Sequence, residues 1–133
     1  MPGDRKPKNL GILFVEDEKS IVEVLSEVLK GIFSRSTVVI YPTMDGHEAL
    51  RILEQNRHQI DLIITDVNHP GLSGIEICKM AREKYQWIKT FIMSGYTKSA
   101  DQARSEKASD IVFQKPFKLE EFEKAMKGLL PGY

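Results

Sequence analysis

Charged and hydroxyl side chains follow four short apolar segments of the chain. These residues are Glu16-Asp17, Asp66, Ser94-Gly95 and Lys115-Pro116. If the four segments are strands of one parallel sheet, their carboxyl ends lie together and form one small site. Carboxylates about 4 Å apart repel one another by on the order of 4 kcal/mol per pair. Three carboxylates in one site therefore require a cation or raised pKa values.

This combination of groups favours phosphoryl chemistry with a hard metal ion. Carboxylate oxygens suit Mg²⁺, which keeps several waters and often bridges to phosphate. A carboxylate can attack a phosphoryl group and form an acyl phosphate, whose charge must be neutralised during transfer. Lys115 would supply a positive charge and Ser94 a hydroxyl donor, while Gly95 leaves room beside the modified side chain. No histidine or cysteine converges there to favour zinc.

Five apolar segments alternate with five segments of helical periodicity. The predicted strands are residues 10–15, 37–41, 61–65, 89–93 and 110–114. The alternation predicts an α/β fold with a parallel sheet. The fourth helix, residues 98–107, has only Ala100 and Ala103 as apolar residues. We therefore expect it to be the most mobile of the five helices.

Local signals add expectations for individual helices. Ser20 with Glu23, and Ser73 with Glu76, have the spacing of a capping box at a helix start. Lys118 stands where the last helix should have an N-cap, and lysine is a poor cap. Glu120 and Glu121 in the first turn partly offset this.

Composition limits the classes of function. The 133 residues suit one domain, and 41% hydrophobic residues provide for a core. Lys plus Arg and Asp plus Glu are 19 each, so no basic field favours direct binding of nucleic acid or anionic lipid. The chain has a single cysteine, Cys78, so it cannot form an internal disulfide, which suits a reducing cytoplasm. We interpret Cys78 as a small residue of the hydrophobic core. No apolar run reaches membrane-spanning length.

Together the four motifs resemble the signature of receiver domains of two-component response regulators. The matching residues are Glu16-Asp17, 66–70 with Gly74, Ser94-Gly95 and 115–117, in the family's order and spacing. The resemblance spans about residues 9–130, with a flexible tail at 1–8 and a short tail at 131–133. It implies a flavodoxin-like (βα)5 three-layer sandwich with a five-stranded parallel sheet of order 2-1-3-4-5.

The resemblance also implies roles for the site residues. Asp66 would accept a phosphoryl group from a histidine kinase or phosphotransfer protein, and Ser94 and Lys115 would hold its oxygens. The implied Mg²⁺ ligands are Asp17 and Asp66 directly, Glu16 through water, and the backbone carbonyl of Asn68. The domain would catalyse only its own phosphorylation and dephosphorylation. The fourth helix, fifth strand and fifth helix would form the switching face, which would serve an effector or a homodimer.

Two residues depart from the family pattern. His69 replaces a usually apolar residue, and is either a partly exposed loop residue or a group that makes the phosphate lifetime depend on pH. Val112 stands where many members have an aromatic residue that turns inward on activation. Phe113 should point to the opposite face of the strand and belong to the core.

Other functions remain as alternatives. A pseudo-receiver would keep the fold as a binding module without phosphorylation, although the complete acidic site argues against it. Phosphatases that form an aspartyl phosphate need a second aspartate where this chain has Asn68. A flavin carrier is disfavoured because residues 16–18 are all acidic and would repel a phosphate monoester. A stand-alone receiver and a fragment of a longer regulator or hybrid kinase both remain open.

Overall fold

Five strands alternate with five helices in the computed structural model, which describes residues 8–133. The strands are β1 Asn9–Val15, β2 Thr37–Thr43, β3 Leu62–Asp66, β4 Lys89–Ser94 and β5 Ile111–Gln114. The helices are α1 Lys19–Ile32, α2 Gly46–Asn56, α3 Gly74–Lys84, α4 Thr97–Ser105 and α5 Leu119–Leu129. The predicted N-terminal tail at residues 1–8 lies outside the described residues except for Lys8.

All neighbouring strands pair in parallel, in the order β2-β1-β3-β4-β5. Helices α1 and α5 cover one face of this sheet, where Leu25 and Phe122 are buried. Helices α2, α3 and α4 cover the other face, where Leu53, Cys78 and Ala103 are buried. The predicted flavodoxin-like (βα)5 three-layer sandwich is therefore confirmed.

Alternation along each strand divides the core into two parts. In β4, Phe91 and Met93 pack toward α1 and α5, while Ile92 between them packs toward α2, α3 and α4. In β5, Val112 and Phe113 separate in the same way. Phe113 contacts the ring of Phe91 edge-on at 5.0 Å between centroids, so the predicted core position of Phe113 is confirmed.

Two predicted boundaries differ from the structure. Helix α1 begins at Lys19, so Ser20 lies inside the first turn and the predicted capping box of Ser20 and Glu23 is wrong. The carbonyl of Glu18 already accepts the backbone N–H groups of Ile21 and Val22. Strand β2 continues past Tyr41 through Pro42, because β2 is an edge strand and needs no backbone donor on its open side.

The caps of α3 and α5 follow their predictions. Ser73 accepts the backbone N–H of Glu76 at 3.2 Å, and the Glu76 carboxylate accepts the N–H of Ser73 at 3.3 Å, which completes a capping box. Lys118 occupies the N-cap of α5 and makes no side-chain cap hydrogen bond.

Within residues 8–133, no helix is both long enough and apolar enough to cross a membrane.

Candidate functional site

The carboxyl ends of the central strands bring four polar residues together. Asp66 and Ser94 are the last residues of β3 and β4, while Glu16 and Lys115 directly follow β1 and β5. The backbone N–H of Lys115 donates to the carbonyl of Ser94 at 2.7 Å. The ends of β4 and β5 are therefore joined immediately beside the site.

The Lys115 ammonium group lies between two carboxylates. Its Nζ is 2.7 Å from Oδ2 of Asp66 and 2.7 Å from Oε1 of Glu16. The exposed fractions of the three side chains are 17% for Lys115, 10% for Asp66 and 0% for Glu16. One cation therefore compensates two buried anions, in contacts short enough for charge-assisted hydrogen bonds.

The environment changes the pKa values of both partners of this ion pair. Burial is the main cause that raises the pKa of Glu16, and the neighbouring Asp17 carboxyl adds to the increase, while Lys115 opposes it. Burial by itself would lower the pKa of Lys115, but the ion pairs with Asp66 and Glu16 outweigh it and raise that pKa. Lys115 is therefore held as a cation, and Glu16 carries its negative charge at a cost.

Backbone geometry presents the Asp66 carboxylate to the site. Its Oδ1 accepts the backbone N–H of Asn68 at 3.2 Å. Helix α3 begins close beneath it, and a Cβ atom on Gly74 would lie only 2.2 Å from the carbonyl oxygen of Asp66. Glycine at position 74 therefore permits the first turn of α3 to pack directly against the backbone of Asp66.

The Ser94 hydroxyl is bonded within its own loop. Its Oγ donates to the carbonyl of Tyr96 at 3.2 Å and accepts the backbone N–H of the same residue at 3.1 Å. Ser94 is buried, whereas a Cβ atom on Gly95 would have no neighbour within 4 Å. The space that the sequence predicts beside Gly95 is therefore present.

The loop after β3 reaches two further groups that the sequence did not reveal. The side-chain amide of Asn68 donates to Oγ of Ser99 on α4 at 3.0 Å. Nε2 of the half-buried His69 lies 3.2 Å from Oγ1 of Thr65, whose hydroxyl donates to the carbonyl of Asp66 at 2.8 Å. His69 is thus a partly exposed loop residue that packs beside the backbone of Asp66.

The donor chemistry at this edge of the sheet fits Mg²⁺, because every available ligand is a hard oxygen. Among residues 8–133, no three histidine, cysteine, aspartate or glutamate side chains are grouped so that they could hold a metal ion. Lys115 instead neutralises Asp66 and Glu16, and Asp17 is exposed to solvent. Glu16 and Asp66 are therefore brought together by the ammonium group of Lys115.

Comparison with known proteins identifies the family. The sequence matches the response regulator receiver domain family over residues 12–127. It is 33% identical to the alkaline phosphatase synthesis transcriptional regulatory protein PhoP of Bacillus subtilis (strain 168), covering 92% of this chain and 49% of that protein. It is 32% identical to sporulation initiation phosphotransferase F of the same organism, covering 92% and 95%. The chain thus spans about half of the first relative and nearly all of the second.

Solved structures agree with this result. The response regulator protein TrrA from Thermotoga maritima, in complex with Mg(2+)-BeF, superposes with a TM-score of 0.74 at 28% identity, covering 92% of this chain and 99% of that one. The receiver domain of the hybrid histidine kinase CckA gives a TM-score of 0.67 at 30% identity, with 90% and 98% covered.

Proposed function

The chain belongs to the receiver domain family of two-component response regulators, and we propose that it is a switch phosphorylated on Asp66. The observation that carries this proposal is the position of the Lys115 ammonium group, 2.7 Å from Oδ2 of Asp66 in a mostly buried site. A carboxylate held at a strand end beside a fixed cation suits attack on a phosphoryl group. The cation also remains in place to neutralise the product.

In the proposed reaction, an oxygen of Asp66 attacks the phosphorus atom of the donor. The new bond is an acyl phosphate, and the bond from phosphorus to the donor breaks with its electron pair leaving on the donor. Lys115 then moves its charge from the carboxylate to a phosphoryl oxygen. Ser94 exchanges its contact with the Tyr96 carbonyl for a donor contact to another phosphoryl oxygen. Later attack by water returns the carboxylate and inorganic phosphate.

Magnesium belongs to the same proposal. Asp17 and Asp66 would hold the ion directly, Glu16 would act through water, and Asn68 would contribute its backbone carbonyl. The bound ion would neutralise the charge that collects on the phosphoryl oxygens during transfer. Its positive charge would also offset the cost of burying the Glu16 carboxylate, because burial is the main cause of the raised pKa of that group.

The proposed donor is a histidine kinase or phosphotransfer protein, and the output is a shift between two conformations rather than turnover of a substrate. The face formed by α4, β5 and α5 would carry the change to an effector domain, a partner protein or a second copy of the chain. Two contacts support this choice of face. The backbone N–H of Lys115 donates to the Ser94 carbonyl at the end of β4, and the Ser94 hydroxyl accepts the N–H of Tyr96, which precedes α4.

The test is phosphorylation by acetyl phosphate with and without Mg²⁺, followed by intact mass. We expect a phosphoryl adduct that requires Mg²⁺ and is absent from Asp66→Asn, which is nearly isosteric. Asp101→Asn is the matched control, because Asp101 is an exposed aspartate on α4, and it should retain the adduct.

An adduct that persists in Asp66→Asn would refute the assignment of the acceptor. A folded protein that binds Mg²⁺ and yet forms no adduct, either with acetyl phosphate or with a histidine kinase preparation, would instead favour the pseudo-receiver function. Circular dichroism of each variant separates loss of the acceptor from loss of the fold.

A further inference from the structure

Asn68 forms hydrogen bonds both to Asp66, the proposed phosphoryl acceptor, and to helix α4. The backbone N–H of Asn68 donates to Oδ1 of Asp66 at 3.2 Å, and its side-chain amide donates to Oγ of Ser99 at 3.0 Å. Ser99 is half-buried in the first turn of α4. A change at the Asp66 carboxylate can therefore reach α4 across a single residue.

Few apolar or capping contacts hold this helix. Its only buried residues are Ala100 and Ala103, and its N-cap has no side-chain hydrogen bond. Two side-chain bonds secure its first turn: the Ser99 bond and a bond of 2.7 Å from Nε2 of Gln114 to Oγ1 of Thr97. Because so little apolar surface anchors α4, the loss of one polar contact has a large effect on its local stability.

Val112 lacks the aromatic ring that, in many receiver domains, turns inward on activation. It packs instead against the core on the side of α2, α3 and α4. We propose that the hydrogen bond between Asn68 and Ser99 transmits the state of Asp66 to α4, with both residues acting as positioning residues. This inference rests on the proposed phosphorylation of Asp66 and adds a route to the one through Ser94.

The direction of the effect follows from the chemistry of the acceptor. Formation of the acyl phosphate converts one carboxylate oxygen to an ester oxygen and removes the charge that the two oxygens shared. Oδ1 of Asp66 then becomes a weaker acceptor for the N–H of Asn68. Residue 68 shifts, its amide leaves Ser99, and the first turn of α4 loosens.

The experiment measures amide hydrogen exchange in α4 with acetyl phosphate and Mg²⁺ present, and intact mass of the same sample. In the wild-type protein, phosphorylation should speed exchange in residues 97–105 by about fivefold, as expected for the loss of one hydrogen bond. In Ser99→Ala, the amides of α4 should exchange fast before phosphorylation, and phosphorylation should increase their exchange rate only slightly. Ser99→Thr keeps the hydroxyl and should restore the response.

Thr97→Val is the matched control, because it removes the other bond of the same turn without contacting Asp66. In this variant the amides of α4 should also exchange fast, yet phosphorylation should still increase their exchange rate. A full response in Ser99→Ala, or a response lost equally in Thr97→Val, would overturn the inference while the adduct still supports the proposed function. Absence of any adduct would overturn both.

Discussion

Replacement of Lys115 by methionine tests whether one ammonium group balances the acidic site. At 2.7 Å each ion pair is worth about 6 kcal/mol at an effective dielectric of 20, before the cost of desolvation. Removal of the cation leaves Glu16 and Asp66 as uncompensated buried anions, a change that costs about 3 kcal/mol in comparable sites. We therefore expect Lys115→Met to lose about 3 kcal/mol of unfolding free energy near neutral pH in the absence of Mg²⁺.

The loss should depend on pH with a definite sign. The folded-state pKa of Glu16 is already above its usual value of 4.5, and Lys115 opposes that increase. Without Lys115 the folded-state pKa rises further, so the folded state binds more protons than the unfolded state. Stability is then retained below 4.5 and is lost as the pH rises through the folded-state pKa. The deficit of Lys115→Met should be larger at about pH 8 than at about pH 5.

Urea denaturation followed by circular dichroism measures both effects. Lys127→Met is the control, since Lys127 pairs with Glu123 at 3.3 Å on the exposed surface of α5, and it should cost less than about 1 kcal/mol. The double variant Lys115→Met with Asp66→Asn should recover part of the loss, because it removes one of the two stranded charges. A Lys115→Met protein within about 1 kcal/mol of wild type at pH 8 would refute this account of the site.

Three further predictions concern the scaffold. Ser73→Ala should cost about 1 kcal/mol in urea denaturation through loss of the α3 cap, whereas Ser20→Ala should change stability by much less, and equal losses would contradict the assigned start of α1. Cys78 is fully buried and burial raises the pKa of its thiol, so a thiol reagent should label it only on unfolding; rapid labelling of the native protein would contradict this. In the unphosphorylated protein, α4 should exchange its amides fastest of the five helices, and equal protection would refute the expectation.

The sequence predicts the positions of the site residues because those positions depend on strand ends. A run such as Ile12 to Val15 is buried on both faces, so the first charged residue after it must lie at the edge of the sheet. That reasoning places Glu16 and Asp66 correctly. The limits of α1 and β2 were missed because the capping pattern of Ser20 and the presence of Pro42 are local signals, while the sheet edge and the short loop after β1 decide the outcome.

The sequence does not predict the contacts among the site residues, because these contacts depend on rotamers and on loop geometry. No spacing in the sequence indicates that Lys115 bridges Glu16 and Asp66, or that the amide of Asn68 reaches Ser99 across a loop. The Lys115 contact could be anticipated only from charge balance, since a buried glutamate requires a cation nearby.

These contacts explain why a phosphoryl group on Asp66 would change the conformation rather than only add charge. Each group that would hold a phosphoryl oxygen already has a partner: Lys115 pairs with Glu16 and Asp66, and Ser94 bonds both polar backbone groups of Tyr96. Ser94 has a single hydroxyl proton, so a donor contact to a phosphoryl oxygen requires its bond to the Tyr96 carbonyl to break. Because Tyr96 is the N-cap of α4, the loss of that contact would be expressed as a shift in the conformations that this helix populates.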